Sequence, residues 1–258
     1  MLLELEHIDK AFHIGTPDET KLFFDFHYAV SKGQFISVIG SNGSGKTTLL
    51  NLICGNCRPE RGRILFCGGD ITQQSQSQRA RRIARVFQDP KAGGCGSLTI
   101  LENLALADHK GKCYGLSPAI TKKRIEHYRT LLKGCGMGLE DRLSTQLSAL
   151  SGGQRQALAL ITATMNDADL LLLDEHTAAL DPKSSETIME LTNRLVRARS
   201  ITAIMITHNL RHAVSYGDRL TMLHEGNVVL DVADAEKAAC SIDDLLQKFN
   251  SISIECGN

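Results

Sequence analysis

The chain has 258 residues, of which 42% are hydrophobic, and this is enough for one large α/β domain or two small ones. Lys plus Arg total 29 and Asp plus Glu total 29, so the net charge is zero and no overall field favours DNA, RNA or anionic lipid. The start, "MLLELEHIDK", lacks the basic region of a signal peptide, and the apolar run "LLLL" is far shorter than the ~20 residues that span a bilayer. We therefore expect a soluble chain.

Eight cysteines are scattered along the sequence, and only Cys54 and Cys57 form a C-x-x-C pair. A zinc site would need a second pair, and a redox motif would need its first cysteine at a helix N-terminus. "TLLNLICGNC" instead indicates a helix that stops at Gly55. We expect free thiols and a reducing cytosol.

The first ninety residues predict strands separated by turns. "LLELEHI" and "KLFFDFHYAV" have the partial alternation of half-buried strands, on either side of the turn-rich "GTPDET". "GQFISVIG" is a continuous apolar run, typical of a strand buried on both faces, and it leads into "GSNGSGKTT". "GRILFCGGD" and "IARVFQD" favour further strands, with a solvated turn and short helix at "TQQSQSQRARR" between them.

The pattern changes from about residue 90 to residue 156. "PKAGGCGS" predicts a loop, whereas "LTILENLALA" and "PAITKKRIEHYRTLLKGCG" have apolar residues at helical spacings. After "SGGQRQALALITATM", strand patterns return in "DLLLLDE", "SITAIMITH", "RLTMLHEG" and "NVVLDV", together with a helical pattern in "PKSSETIMELTNRLVRAR". We infer one domain over 1–258, with an α/β core of about 1–88 and 157–258 and a helical subdomain of about 89–156.

A phosphate-binding loop is indicated between the buried strand and the first helix. Gly40, Gly45, Lys46 and Thr47 satisfy the pattern G-x-x-x-x-G-K-[ST]. Glycines let backbone N–H groups approach phosphate, the lysine reaches the β- and γ-phosphates, and the threonine hydroxyl binds Mg²⁺. The residues expected to contact the nucleotide here are Gly40, Ser41, Asn42, Gly43, Ser44, Gly45, Lys46, Thr47 and Thr48.

Two adjacent carboxylates follow the apolar strand "LLLLDE". Asp174 is suited to hold Mg²⁺ through its water shell, and Glu175 to orient or deprotonate an attacking water. The alternative for such a pair is a helix N-cap or a solvated turn.

"LSGGQ" at 150–154 lies between these two motifs, and the ordered set resembles the ATP-binding cassette (ABC) ATPases over essentially the whole chain. The resemblance implies a P-loop NTPase (RecA-like) core with an antiparallel β subdomain and a helical insertion subdomain. It also implies ATP hydrolysis with Mg²⁺. The further motif residues, in family order, are Phe12 as the adenine-stacking ring, Gln88 in "VFQDP", Asp181 in "AALD" and His208 in "MITHN".

In this family two copies pair head to tail, so the resemblance assigns the signature to the partner's nucleotide. Ser151, Gly152, Gly153 and Gln154 would close over the ATP held by the phosphate loop of the other copy, although "SGG" alone also fits an ordinary capping turn. Asp181 would contact the opposite phosphate loop, and it also suits an N-cap before Pro182.

Other assigned roles concern hydrolysis. Gln88 would ligate Mg²⁺ or water while its backbone moves with the insertion, and His208 would hydrogen-bond the γ-phosphate and hold Glu175 and the water in line. The sequence departs from the family at His176, where proline is usual. We expect a tolerated substitution there, with pH-sensitive placement of Glu175 as the alternative. His7, His13, His27 and His109 are expected to be ordinary surface or core residues.

The resemblance implies the ATPase subunit of a membrane transporter, peripheral on the cytoplasmic side of the cell membrane. Its expected partners are a second copy, transmembrane permease subunits that contact "SLTILENL", and an extracytoplasmic solute-binding protein, with no nucleic acid. The motifs look most like those of bacterial uptake ATPases for amino acids or related small solutes. Alternatives are an exporter ATPase, or a non-transport ATPase of the DNA-repair or translation-factor type. No residue identifies the solute.

Overall fold

The computed structural model describes residues 1–110 and 118–255. The chain divides into two compact units, one of Met1–Gln76 with Thr202–Asn258 and one of Ser77–Ile201. The subdomain boundaries expected at 88/89 and 156/157 stay predictions. Cys113 and Cys256 lie outside the described residues, so the expectation of free thiols is met by the other six cysteines only.

The bounds of the regular elements follow chain order. The strands are β1 Leu3–Phe12, β2 Thr20–Val30, β3 Phe35–Gly40, β4 Arg61–Phe66, β5 Gly69–Asp70, β6 Ile83–Val86, β7 Leu170–Asp174, β8 Thr202–Ile206, β9 Arg219–His224 and β10 Asn227–Ala233. The helices are α1 Lys46–Cys54, α2 Gln76–Arg79, α3 Ile100–Asp108, α4 Lys122–Lys133, α5 Gly152–Thr164, α6 Pro182–Ala198, α7 Leu210–Ser215, α8 Asp234–Ala239 and α9 Ile242–Glu255. Two short 3₁₀ helices are Pro90–Gly93 and Leu147–Ala149.

The first unit contains an antiparallel sheet and a mainly parallel one. The antiparallel sheet has the order β2-β1-β4-β5. In the other sheet β3 lies parallel to β8 and β9, and β10 pairs with β9 antiparallel. All six residues of β3 are buried, which confirms the strand predicted from its continuous apolar run.

Hydrogen bonds between polar groups, of which Tyr28 and Thr221 are buried, connect the two sheets of the first unit. The Tyr28 hydroxyl lies 3.0 Å from Oγ1 of Thr221, and Arg219 donates to the Ala29 carbonyl (2.6 Å) and to both carboxylate oxygens of Asp231. Burial raises the pKa of Tyr28 to about 12, so the hydroxyl keeps its proton near neutral pH. This network fixes the antiparallel sheet against β9 and β10, and β9 is paired with β3, the strand that leads into the first glycine loop.

The second unit combines a parallel strand pair with helices. β6 and β7 are parallel, with Arg85 opposite Leu172. The predicted helices of the insertion are present as α3 and α4, and α3 starts with a capping box of Thr99 and Glu102. No helix among the described residues is long and apolar enough to cross a bilayer. The α/β class with an antiparallel β subdomain and a helical part is therefore confirmed.

Some elements differ from the sequence expectations. "GRILFCGGD" forms two strands, β4 and β5, because Cys67 and Gly68 both adopt positive φ (52° and 77°) and turn the chain back. The helices α8 and α9 were not predicted. Leu245 of α9 is fully buried in a cluster with Ile39, Leu220 and Met222, so tertiary packing stabilises that helix.

Candidate functional site

The first glycine loop joins the end of β3 to the start of α1. Gly45 precedes the helix with φ of 104° and no side chain caps its first turn. An added Cβ at Gly45 would lie 2.8 Å from the Phe23 ring, and one at Gly40 would lie 2.2 Å from the Leu223 carbonyl oxygen, so both positions require glycine. A helix start without a side-chain cap can bind an anion through its first backbone N–H groups, as the predicted phosphate loop requires.

The polar side chains of this loop fit a magnesium-bound triphosphate. Nζ of Lys46 donates to the carbonyls of Gly40 (2.8 Å) and Ser41 (2.7 Å), which keeps the ammonium inside the loop. The buried Ser44 hydroxyl has no hydrogen-bond partner among the described residues, and Thr47 is exposed one position into α1. Ser41, Asn42 and Gly43 are also exposed, and Thr48 is half-buried.

Two further predicted residues belong to the same unit as the loop. Phe12, at the end of β1, is 37% exposed, so its ring is accessible for stacking, with Nζ of Lys10 5.2 Å from the ring centroid. His208 is exposed just after β8. It follows Thr207, which is buried, and precedes Asn209, which is the N-cap of α7. Their roles toward adenine and the γ-phosphate stay predictions.

Asp174 is buried at the end of β7 and forms an ion pair with a residue that the sequence analysis missed. Nη2 of Arg85, on the neighbouring strand β6, lies 2.5 Å from its Oδ2. Glu175 follows at once with φ of 46°, a left-handed conformation that is uncommon outside glycine. Strained backbone of this kind concentrates at functional sites, which supports a specific role for the carboxylate.

His176, the departure from the family pattern, is buried and anchored. Its Nε2 lies 3.0 Å from Oγ1 of Thr192 on α6, and that hydroxyl donates to the Ile188 carbonyl (2.7 Å). A hydroxyl has one proton, so the imidazole Nε2–H donates to Thr192. His176 therefore connects the turn after Glu175 to the middle of α6.

Ser151 caps α5 through a complete capping box. Its Oγ accepts from the Gln154 N–H, and the Gln154 side chain accepts from the Ser151 N–H, each over 3.2 Å. The capping turn that the sequence left open is therefore present. A Cβ added to Gly152 would lie 3.2 Å from the Leu180 side chain, and one added to Gly153 would lie 3.4 Å from Ser184. The signature therefore packs against the start of α6.

Asp181 is the N-cap of α6, ahead of Pro182. Its carboxylate accepts from the Ser184 N–H over 3.0 Å, and hydrogen bonds from the side chain and then the backbone of Ser184 lower the pKa of Asp181. The capping alternative is confirmed, and the contact with a partner's phosphate loop stays a prediction.

Gln88 is exposed two residues beyond β6, where the 3₁₀ helix Pro90–Gly93 begins. Gln156, fully buried in α5, donates from Nε2 to the carbonyl of Phe87 over 3.4 Å. The helix that carries the signature therefore holds the backbone directly before Gln88.

The sequence analysis did not identify Arg85, Gln156 or His224. His224 ends β9, and its Nδ1 lies 3.5 Å from the Ser41 hydroxyl, because Leu223 pairs with Gly40 in the parallel register. Arg85 and Asp174 also meet through the pairing of parallel strands. Such registers join distant segments and leave no local signal in the sequence. Gln156 is different, because it stands within "LSGGQRQ" and could have been identified by that position.

The structure thus gathers the predicted residues in two places. The first unit holds Phe12, the loop from Gly40 to Thr48, and His208. The second unit holds Gln88, the turn Asp174–Glu175, the signature and Asp181. Within it, the signature packs against the segment around Asp181.

Comparison with known proteins gives the family. A family model described as "ABC transporter" matches residues 23–178. The chain is 44% identical over 250 residues to a tyrosine transport ATP-binding protein of Clostridioides difficile (strain R20291), covering 96% of this chain and 98% of that protein. The ADP conformation of MJ1267, an ATP-binding cassette of an ABC transporter, is similar with a TM-score of 0.80, 26% identity, and 100% and 99% of the two chains covered. A dimeric post-hydrolysis state of the ATP-binding cassette MJ0796 bound to ADP and Pi has a TM-score of 0.75, 26% identity, and 90% and 98% coverage.

Proposed function

Since the chain belongs to the ABC transporter family and is an ATPase of that family, we propose that it powers the import of an amino acid or a related small solute. The observation that carries this proposal is the 44% identity, over nearly the full length of both chains, to a tyrosine transport ATP-binding protein. An aromatic amino acid is therefore the first solute class to test.

In this proposal the first unit binds the nucleotide. The N–H groups at the start of α1 and the Lys46 ammonium bind the phosphates, and Phe12 stacks on adenine. Thr47, Gln88 and Asp174 would hold Mg²⁺, with the carboxylate oriented by Arg85. When bound, Mg²⁺ neutralises the charge that develops on the transferred phosphoryl group.

The proposed hydrolytic step uses Glu175 and His208. Glu175 accepts the proton of the attacking water through its carboxylate, and His208 holds that water in line with the γ-phosphorus. Ser151 and the N–H groups of Gly152 and Gly153 act in trans on the γ-phosphate of a second copy. The dimeric MJ0796 cassette supports this pairing, because it shares the fold of this chain.

A groove beside α3 fits the permease contact. It has a volume of about 210 Å³, and its lining includes Pro90, Leu106, Leu147 and Leu158. The apolar side chain of Leu106, on α3, is 52% exposed beside this groove. Asn103 fixes the adjoining loop by bonding the carbonyls of Cys95, Leu98 and Thr99. We infer that a short helix of a transmembrane permease subunit docks here and places the chain on the cytoplasmic face of the membrane.

The test is transport in proteoliposomes that contain this chain and a permease that co-purifies with it, with a solute-binding protein added where one co-purifies as well. We expect ATP-dependent uptake of tyrosine or another aromatic amino acid, stimulation of ATPase activity by the same solute, and loss of both with Lys46→Ala. Uptake of thiamine but of no amino acid would contradict the proposed substrate class. ATP hydrolysis that no permease binds or alters would contradict the transport function.

A further inference from the structure

Two β-bulges face each other in the outer pair of strands of the antiparallel sheet. Glu6 and His7 of β1 together lie opposite His27 of β2, since Leu5 pairs with Tyr28 and Ile8 with Phe26. The second bulge lies next along the pair and is on β2, because two β2 residues, Phe24 and Asp25, lie opposite the single β1 residue Asp9. Bulges re-aim side chains and are features of functional sites rather than defects.

Each bulge puts a metal-ligating residue in the left-handed region. The φ angle is 53° at His7 and 48° at Asp25. Histidine and aspartate adopt this conformation more readily than most residues other than glycine, so each position combines a possible metal ligand with the backbone turn at the bulge.

Three ligand atoms converge at this point. Nδ1 of His7 lies 2.7 Å from Oδ1 of Asp25, Nε2 of His27 lies 3.7 Å from the same oxygen, and all three ligand atoms lie within 4.8 Å of one another. Ligands about 2.0 to 2.2 Å from a tetrahedral ion are about 3 to 3.5 Å apart, so small side-chain rotations suffice to bind one. The side chains are 50% to 60% exposed, which leaves room for water in the remaining coordination positions.

The surroundings orient the carboxylate. Oδ1 of Asp9 accepts from the Asp25 N–H over 2.7 Å and fixes the bulge, while Oδ2 of Asp9 faces Nη1 of Arg61 at 3.9 Å. The His7 and His27 rings meet edge to face with centroids 4.4 Å apart, so both imidazoles approach the same side of Asp25.

We propose that His7, Asp25 and His27 bind one divalent first-row transition ion such as Zn²⁺. Two imidazoles and one carboxylate are donors that such ions prefer, and Mg²⁺ and Ca²⁺ favour oxygen-only sites. The ion clips β2, an edge strand, to β1, which ends at Phe12. None of the three residues is assigned to the nucleotide, and the proposal does not depend on the transport function.

The test is titration of the nucleotide-free full-length chain, after chelation, with Co²⁺ followed by absorption and with Zn²⁺ followed by calorimetry. The variants are Asp25→Asn, His27→Asn and His7→Asn, and asparagine tolerates the left-handed backbone. His13→Asn is the matched control, because His13 is exposed and has a φ of 54° outside the cluster. Circular dichroism verifies that each variant is folded.

We expect the parent chain and His13→Asn to bind one Co²⁺ with nitrogen–oxygen absorption bands, and each cluster variant to bind it at least about tenfold more weakly. Zn²⁺ should raise the Tm of the parent chain and of His13→Asn more than that of the cluster variants. Equal binding by parent and cluster variants would overturn the proposal, as would binding accompanied solely by thiolate-to-cobalt bands, which would place the ion on cysteines.

Discussion

Glu175 is the residue on which the proposed chemistry depends. It follows the buried Asp174 with a strained φ of 46°, directly before the anchored His176. Glu175→Gln keeps the side-chain size but removes the negative charge that accepts the proton of water. We expect the steady-state ATPase rate to fall by roughly 10² to 10⁴ fold, the range for loss of a general base, with ATP binding retained.

The control for this substitution is Glu190→Gln, which makes the same change on the exposed side of α6. That variant should hydrolyse ATP at the parent rate. A Glu175→Gln rate close to the parent rate would remove Glu175 from the catalytic role.

His176 gives a prediction about stability. Because its Nε2–H donates to Thr192 in a buried position, the pair should be coupled by about 0.5 to 1.5 kcal/mol, the net value of one hydrogen bond. A double-mutant cycle of His176→Ala and Thr192→Val, with free energies of unfolding from urea denaturation, measures this coupling. Additive single effects would show that the histidine only fills space where the family usually has proline.

Single residues could be proposed from the sequence where one continuous segment contains both the motif and the strand or helix beside it. The phosphate loop is such a case, because "GQFISVIG" and "TLLNLIC" fix the strand and helix on either side of it. Asp174 and Ser151 were identified for the same reason. Their partners were not, since Arg85 and His224 reach the predicted residues only through the register of parallel strands.

Ser151, at the start of the signature helix α5, has one structural contact and one proposed contact, and Ser151→Arg removes both. Ser151 completes the capping box of its own helix, and it is proposed to contact the nucleotide of a second copy. Ser151→Arg should therefore lower the free energy of unfolding by about 0.5 to 2 kcal/mol, the value of a lost N-cap. We expect it to leave ATP binding by the isolated chain intact and to abolish hydrolysis.

Thr99→Ala is the matched control, because Thr99 forms the same kind of capping box at α3. It should cost a similar free energy of unfolding without abolishing hydrolysis in the isolated subunit. ATP binding by each variant is measured with a fluorescent nucleotide analogue. Failure of Ser151→Arg to bind ATP as a folded monomer would contradict action in trans.

Elements were predictable to the extent that their periodicity is local. The strands β3 and β7 are buried over their whole lengths, and their continuous apolar runs identified them. The bulges in β1 and β2 were not predicted, although the alternation in "LLELEHI" changes phase at His7, because the extra residues are defined by the partner strand. His7 and His27 were therefore expected to be ordinary surface residues, whereas the structure places them around Asp25.

The assembled protein is expected to be a head-to-tail pair with two ATP molecules between phosphate loops and signatures. The phosphate loop and the signature lie in different units of one chain, and the resemblance to the family assigns each to a different nucleotide of the pair. Parent protein should show little dimer, because hydrolysis removes the γ-phosphate that links the copies. Slow hydrolysis should therefore trap the pair.

The decisive measurement is the molar mass of Glu175→Gln by size-exclusion chromatography with light scattering, in the presence of ATP and Mg²⁺. We expect a shift from the mass of one chain, 28.2 kDa, toward twice that mass with ATP but not with ADP. Ser151→Arg introduced into the same variant should abolish the shift. A Glu175→Gln chain that binds ATP yet keeps the mass of a monomer at every protein concentration tested would contradict a nucleotide site shared between two copies.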